Sequence, residues 1–185
     1  MRKLVCLLLV FVAVQVQAKS IREVWAAMPD SMIPYLTKTL RLEMLDFTDM
    51  GVRADVKNVF GGVSEMDTLT TDYLKVTLNV SSELQMKMLP VQGSDSVVCV
   101  VRTYLGPVAE SIVSIYSQDW TLLRTYDFTE MMGTDDESFI SARLAIDDDT
   151  LFLRREKILA SKEEKEAGNE IIRQTTVKWD GKIFK

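Results

Sequence analysis

Residues 4–14 are all apolar, and from there on hydrophobic and polar positions alternate with a changing period. Between residues 20 and 47 the spacing is helical. Ser20 and Glu23 have capping-box spacing, which starts a short helix over 20–27, and Pro29 ends it. Asp30 or Ser31 then predicts a second helix running to about Asp46. It tolerates Pro34 in its first turn and carries a stripe of Leu36, Leu40, Met44 and Phe47. Gly51 is its stop.

Beyond Gly51 the period becomes two. Leu74, Val76, Leu78 and Val80 alternate with Tyr73, Lys75, Thr77 and Asn79. Ser81-Ser82 is read as the turn into a second alternating run, with Leu84, Met86 and Met88 inward. Such a hairpin has one wet face, the pattern of an antiparallel sheet. Residues 96–104 are apolar on both sides at first and read as a central strand, and 110–117 follow after Gly106-Pro107. Residues 139–146 and 150–158 flank Asp147-Asp148-Asp149. Residues 170–179 and 182–184 flank Asp180-Gly181, a pair suited to a two-residue hairpin turn. Residues 61–62, 133–137 and 162–168 read as loops. Eight or nine short strands without strand–helix–strand units predict an α+β fold, with N-terminal helices packed on a mostly antiparallel, hairpin-rich sheet. The strands are too short, and the N-terminal part too helical, for an outer-membrane barrel.

The opening apolar run changes how the rest is counted. Arg2 and Lys3 precede it and Val16-Gln17-Ala18 follow, so residues 1–18 read as a secretory signal peptide cut after Ala18. Eleven apolar residues are too few for a membrane span, which needs about 20. Of 185 residues, removing 18 leaves 167 in a single domain (19–185). That domain holds 20 basic and 27 acidic side chains, a net charge of −7, and no span remains after signal removal. Cys6 leaves with the signal. Cys99, set in Val97-Val98-Cys99-Val100-Val101, then has no intramolecular disulfide partner and reads as a buried thiol.

Candidate chemistry is sparse. The chain has no histidine, which removes Ser-His-Asp and Cys-His catalysis and imidazole metal sites. No phosphate-binding glycine loop, nucleophile elbow or S-x-x-K motif is present. No catalytic, metal-binding or cofactor-binding residue is therefore assigned. A net-acidic chain without a basic stripe argues against nucleic acid. Asp147-Asp148-Asp149 and Asp135-Asp136-Glu137 are acidic turns lacking the alternation of a calcium loop. Trp120 and Trp179 each stand beside a turn, where an indole either stacks on a ligand or caps the end of a core. Asp followed by Ser or Thr and an apolar residue makes Ser31, Thr68, Ser96 and Thr150 candidate O-glycosylation sites. The same pairs are also ordinary cap and turn sequences.

Val24-Trp25-Ala26-Ala27-Met28-Pro29-Asp30-Ser31, Pro34-Tyr35-Leu36-Thr37-Lys38 and Arg41-Leu42 together resemble the start of a family of exported proteins from Bacteroides-type bacteria, a family described only as a domain of unknown function. Phe60-Gly61-Gly62, Thr71-Asp72-Tyr73-Leu74 and Gln85-Met86-Lys87 resemble its middle. Residues 107–111, Ser117-Gln118-Asp119-Trp120 and Lys178-Trp179-Asp180-Gly181-Lys182 resemble its later part. The resemblance implies a periplasmic or cell-envelope location and carries no catalytic residues over. Two functional readings follow: a non-enzymatic domain that binds an envelope protein, peptide or glycan, or a carboxylate-dependent hydrolase acting on glycans.

Overall fold

The computed structural model describes residues 19–93, 96–133, 137–159 and 168–185. The expected signal peptide, Asp135-Asp136 and most of the loop at 162–168 lie outside them.

Helix α1 (Ile21–Ala27) carries the expected capping box: the Glu23 amide donates to Ser20 Oγ, and the Ser20 amide donates to the Glu23 carboxylate. The second helix departs from expectation. Asp30–Met32 form one 3-10 turn, and α2 (Lys38–Asp49) begins only after Thr37, whose hydroxyl accepts from the Leu40 amide. Pro34 accounts for the break. It pushes the preceding Ile33 out of helical geometry (φ −139°, ψ 72°), while Ile33 and Leu36 are drawn fully into the core.

Breaking the helix frees backbone carbonyls, and two arginines collect them. Arg41 is completely buried. Its guanidinium donates to Leu36 O (2.6 Å), Trp25 O (3.2 Å), Met28 O and Asp30 Oδ1 (2.8 Å). Arg102 reaches Met32 O from the sheet.

Seven strands then form a meander in chain order, each antiparallel to the next: β1 (Asp55–Lys57), β2 (Val63–Leu69), β3 (Tyr73–Asn79), β4 (Ser82–Pro90), β5 (Ser96–Leu105), β6 (Ala109–Tyr116) and β7 (Leu122–Tyr126). After the short α3 (Thr129–Met132), a second antiparallel sheet is built from β8 (Ser138–Leu144), β9 (Thr150–Leu159) and β10 (Gly168–Lys178), with β9 central. β1, β2 and β7 were not among the expected strands. Residues 182–184 are not a strand; one bridge, Trp179 to Phe184, closes the terminal turn. The β3–β4 turn is Val80-Ser81, one residue earlier than expected, so Val80 points to solvent at 96% exposure.

Both faces of the large sheet are covered. On one, Leu74, Val76, Leu84, Met86, Val98 and Val100 pack beneath α1 and α2 around Trp25 and Met44. On the other, Tyr73, Leu89, Cys99, Val101, Val113 and Ile115 pack against Leu144, Leu151, Leu153, Val177 and Trp179 of the second sheet and its tail. The expected wet face is therefore buried along much of its length. Its polar residues are the fasteners. Gln85 Oε1 accepts from the Leu144 amide (2.9 Å), Ser111 Oγ accepts from the Ala142 amide (2.9 Å), and the Lys87 ammonium donates to Ile146 O (2.7 Å). Side chains of β4 and β6 thus satisfy the edge of β8, which would otherwise present unpaired backbone groups.

Candidate binding cleft

The aromatic candidates are occupied within the fold. Trp179 is 7% exposed, donates its indole N–H to Pro90 O (2.7 Å) and meets Phe184 edge-on. Trp120 is half-buried and packs on Tyr116; its indole donates to Val24 O (3.1 Å) at the end of α1. It does so from a left-handed backbone (φ 64°), a conformation uncommon outside glycine. The same turn holds the first described residue. Lys19 donates its backbone N–H to Gln118 Oε1 (2.8 Å), and its ammonium pairs with Asp119 (2.5 Å).

The four hydroxyl candidates are dispersed. Ser31 is exposed on the 3-10 turn, whereas Thr68, Ser96 and Thr150 are half-buried in strands. The hydroxyl of Ser96 accepts from Gln118. The Asp147-Asp148-Asp149 turn is organised internally, with Asp148 accepting from the Thr150 amide (3.0 Å). Burial raises the Asp149 carboxyl above its ordinary value. Among the described residues no three acidic or thiol groups gather as a metal site. Cys99 is fully buried, and burial pushes its thiol far above the ordinary range.

A cleft of about 680 Å³ opens where the second sheet stands on the first. Its floor is Glu83, Thr103, Leu105 and Ala109, from β4, β5 and β6. Its wall follows from strand alternation. Leu151 and Leu153 of β9 point into the core, so Phe152 and Arg154 point out. Register places Arg143 and Thr176 beside Phe152, and Ser141 and Gln174 beside Arg154; Glu156 continues the wall along β9.

The charges in the cleft are unequally satisfied. Glu83 is held by the Lys75 ammonium (2.9 Å) and the Gln85 amide (3.1 Å). Arg154 pairs with Glu156 (3.3 Å) and, with the Gln174 amide oriented to accept, also with Gln174 (3.0 Å). In the adjoining core, burial and the nearby Glu83 push the Tyr73 phenol up to about 12. Arg143 differs from its neighbours. Its guanidinium lies 4.3 Å from the Phe152 ring centroid, and among the described residues it makes no hydrogen bond or ion pair.

None of these cleft residues was singled out from the sequence. The available signal was an aromatic, Phe152, at an outward position of a hairpin strand otherwise lined by charges. A smaller hollow of about 360 Å³, lined by Ile33, Tyr35, Leu78 and Arg102, lies on the helix side of the large sheet.

Residues 13–136 match the profile of a family described as "Protein of unknown function (DUF3256)". The chain belongs to that family. The matched segment ends before β8, so it includes the cleft floor and stops short of the wall. The family resemblance read from the sequence holds at this level. The fold is similar to a solved structure from Porphyromonas gingivalis W83, described as a domain of an uncharacterized protein. The TM-score is 0.70 at 22% identity, over 91% of this chain and 98% of that one. No curated protein matches the chain. No helix among the described residues is long and apolar enough to cross a membrane.

Proposed function

We propose that this is an exported protein of the bacterial periplasm or cell envelope, and that it acts as a non-enzymatic binding domain whose site is the cleft between the two sheets. The observation that carries the binding reading is the cleft itself. Its volume lies within the range of ligand sites, roughly 300–1,000 Å³. Its acids Glu83 and Glu156 are already engaged with Lys75 and Arg154, the arrangement of a polar recognition surface. The alternative carboxylate hydrolase needs one acid held protonated near neutral pH. The raised carboxyl among the described residues is that of Asp149, in the β8–β9 turn rather than along the cleft.

Export is supported by the N-terminal sequence pattern, and the anchoring of Lys19 is compatible with a cut after Ala18. Cutting after Ala18 turns the Lys19 amide into an ammonium, which still has a proton to donate to Gln118. For O-glycosylation, the exposure of Ser31 favours that residue over Thr68, Ser96 and Thr150.

The tests are fractionation and blocking. Fractionation of native cells should recover the protein in the envelope with Lys19 as its first residue. A cytoplasmic protein retaining residues 1–18 contradicts export. An intact mass with no added sugar rejects the glycosylation reading. Labelled peptide and saccharide fractions of the envelope should bind the wild-type protein and lose binding to Ala109→Trp, which fills the cleft floor. Equal binding to both proteins, or none to either, contradicts the cleft reading.

A further inference from the structure

We propose that the cleft takes an acidic saccharide, and that Arg143 receives its carboxylate. This rests on the cleft being the binding site and names the chemistry of what it binds.

The two arginines of the cleft are unequally satisfied. Arg154 spends its guanidinium on Glu156 and Gln174, and the Glu83 carboxylate is held by Lys75. Arg143 lies along Phe152 at 4.3 Å and has no acceptor among the described residues. Stacking orients the planar guanidinium while leaving its edge N–H groups unspent. Such a fork matches a carboxylate in two parallel hydrogen bonds. Because the ring already holds the side chain, little conformational freedom is lost when the anion arrives.

The groups around Arg143 define the rest of the ligand. Thr103, Ser141, Gln174 and Thr176 line the same space, short hydroxyl and amide side chains spread over floor and wall. The apolar contribution comes from Leu105, Ala109, Ala142, Leu153 and Phe152, the last 37% exposed. Hydrogen-bonding side chains outnumber apolar ones in this lining. A polyhydroxylated ring bearing a carboxylate fits it: hydroxyls meet hydroxyls and amide, the C–H face meets Phe152, and the acid meets Arg143.

The probes are digalacturonic acid, its neutral methyl diester and an acidic tripeptide. Each is titrated by calorimetry and by amide NMR against the full protein, Arg143→Gln and Arg143→Lys. Arg143 is exposed, so both variants should keep the wild-type melting temperature. Digalacturonic acid should bind, with shifts at Thr103, Phe152 and Thr176. The diester should bind at least about tenfold more weakly, the size of one charge-assisted hydrogen bond. Arg143→Gln should weaken the acid by a similar factor and leave the diester unchanged. Arg143→Lys should restore little, because an ammonium does not stack as a plane. Equal affinity for acid and diester, or an unchanged affinity in Arg143→Gln, overturns the role of Arg143. Preference for the tripeptide overturns the saccharide class. In either case the cleft reading survives if envelope fractions still lose binding to Ala109→Trp. It falls separately if Ala109→Trp has no effect.

Discussion

Replacing Arg41 with methionine should be among the most damaging single changes in this protein, although Arg41 touches no part of the cleft. The side chain is fully buried, and two backbone carbonyls, Met28 O and Leu36 O, depend on its guanidinium, whereas Trp25 O also accepts from the Met28 amide. Methionine fills the space of the stem and supplies no donor. Each buried acceptor left without a partner costs about 1–3 kcal/mol. The two share one donor group and are not strictly additive, so the total is about 2–5 kcal/mol. Asp30, whose side chain is 57% exposed, returns to water and adds little. The assay is urea unfolding followed by circular dichroism. With a slope of roughly 2 kcal/mol per molar urea, the midpoint should fall by about 2 M without a change in slope. Arg41→Lys should recover only part of the loss, since one ammonium does not span carbonyls on three sides. A loss below about 1 kcal/mol, the size of an ordinary substitution, would refute the claim that Arg41 holds the broken helix together.

Other consequences concern the second sheet, the thiol and the terminal turn. Gln85→Leu removes the acceptor for the Leu144 amide. Hydrogen exchange should show β8–β10 losing about 1–3 kcal/mol of protection while β3–β5 keep theirs; uniform loss would mean the sheets do not open separately. Cys99 should resist iodoacetamide in the native protein and react after unfolding, and rapid native alkylation would contradict its burial. The Asp180 carboxyl is lowered to about 2 by Lys185 and the amides of Ile183 and Lys182. A depressed acid stabilises above its unfolded pKa, about 3.9, and that contribution is lost as pH falls through the folded value. The NMR signature of the terminal turn should therefore persist at pH 5 and fade between roughly pH 4 and 2. A turn unchanged at pH 2 would show that Asp180 does not secure it.

Several of these elements were legible in the residues because local rules and tertiary packing agreed. The Ser20–Glu23 box, the Tyr73–Asn79 alternation, the buried Cys99 and the hairpin about Asp147-Asp148-Asp149 all stand as the sequence predicts. The failures have identifiable causes. The stripe from Leu36 to Phe47 looked continuous with Asp30, yet the backbone constraint imposed by Pro34 won over periodicity. Gln85 and Lys87 read as solvent-facing because alternation reports polarity rather than exposure, and here the polar side chains are spent on β8. β7 escaped notice because four of its five residues are exposed and carry little pattern. The cleft was hidden for a deeper reason. Its floor comes from β4–β6 and its wall from β8–β10, and no local signal in one chain tells how two sheets meet.

The central claim is that the angle between the two sheets is a ligand site. The most direct measurement is an amide chemical-shift map of the protein, collected during titration with fractionated envelope extract. The account predicts shifts concentrated at Thr103, Leu105, Arg143, Phe152 and Thr176, and their disappearance in Ala109→Trp. Shifts confined to the helices or to the edges at β1 and β7, with the cleft silent, would contradict it.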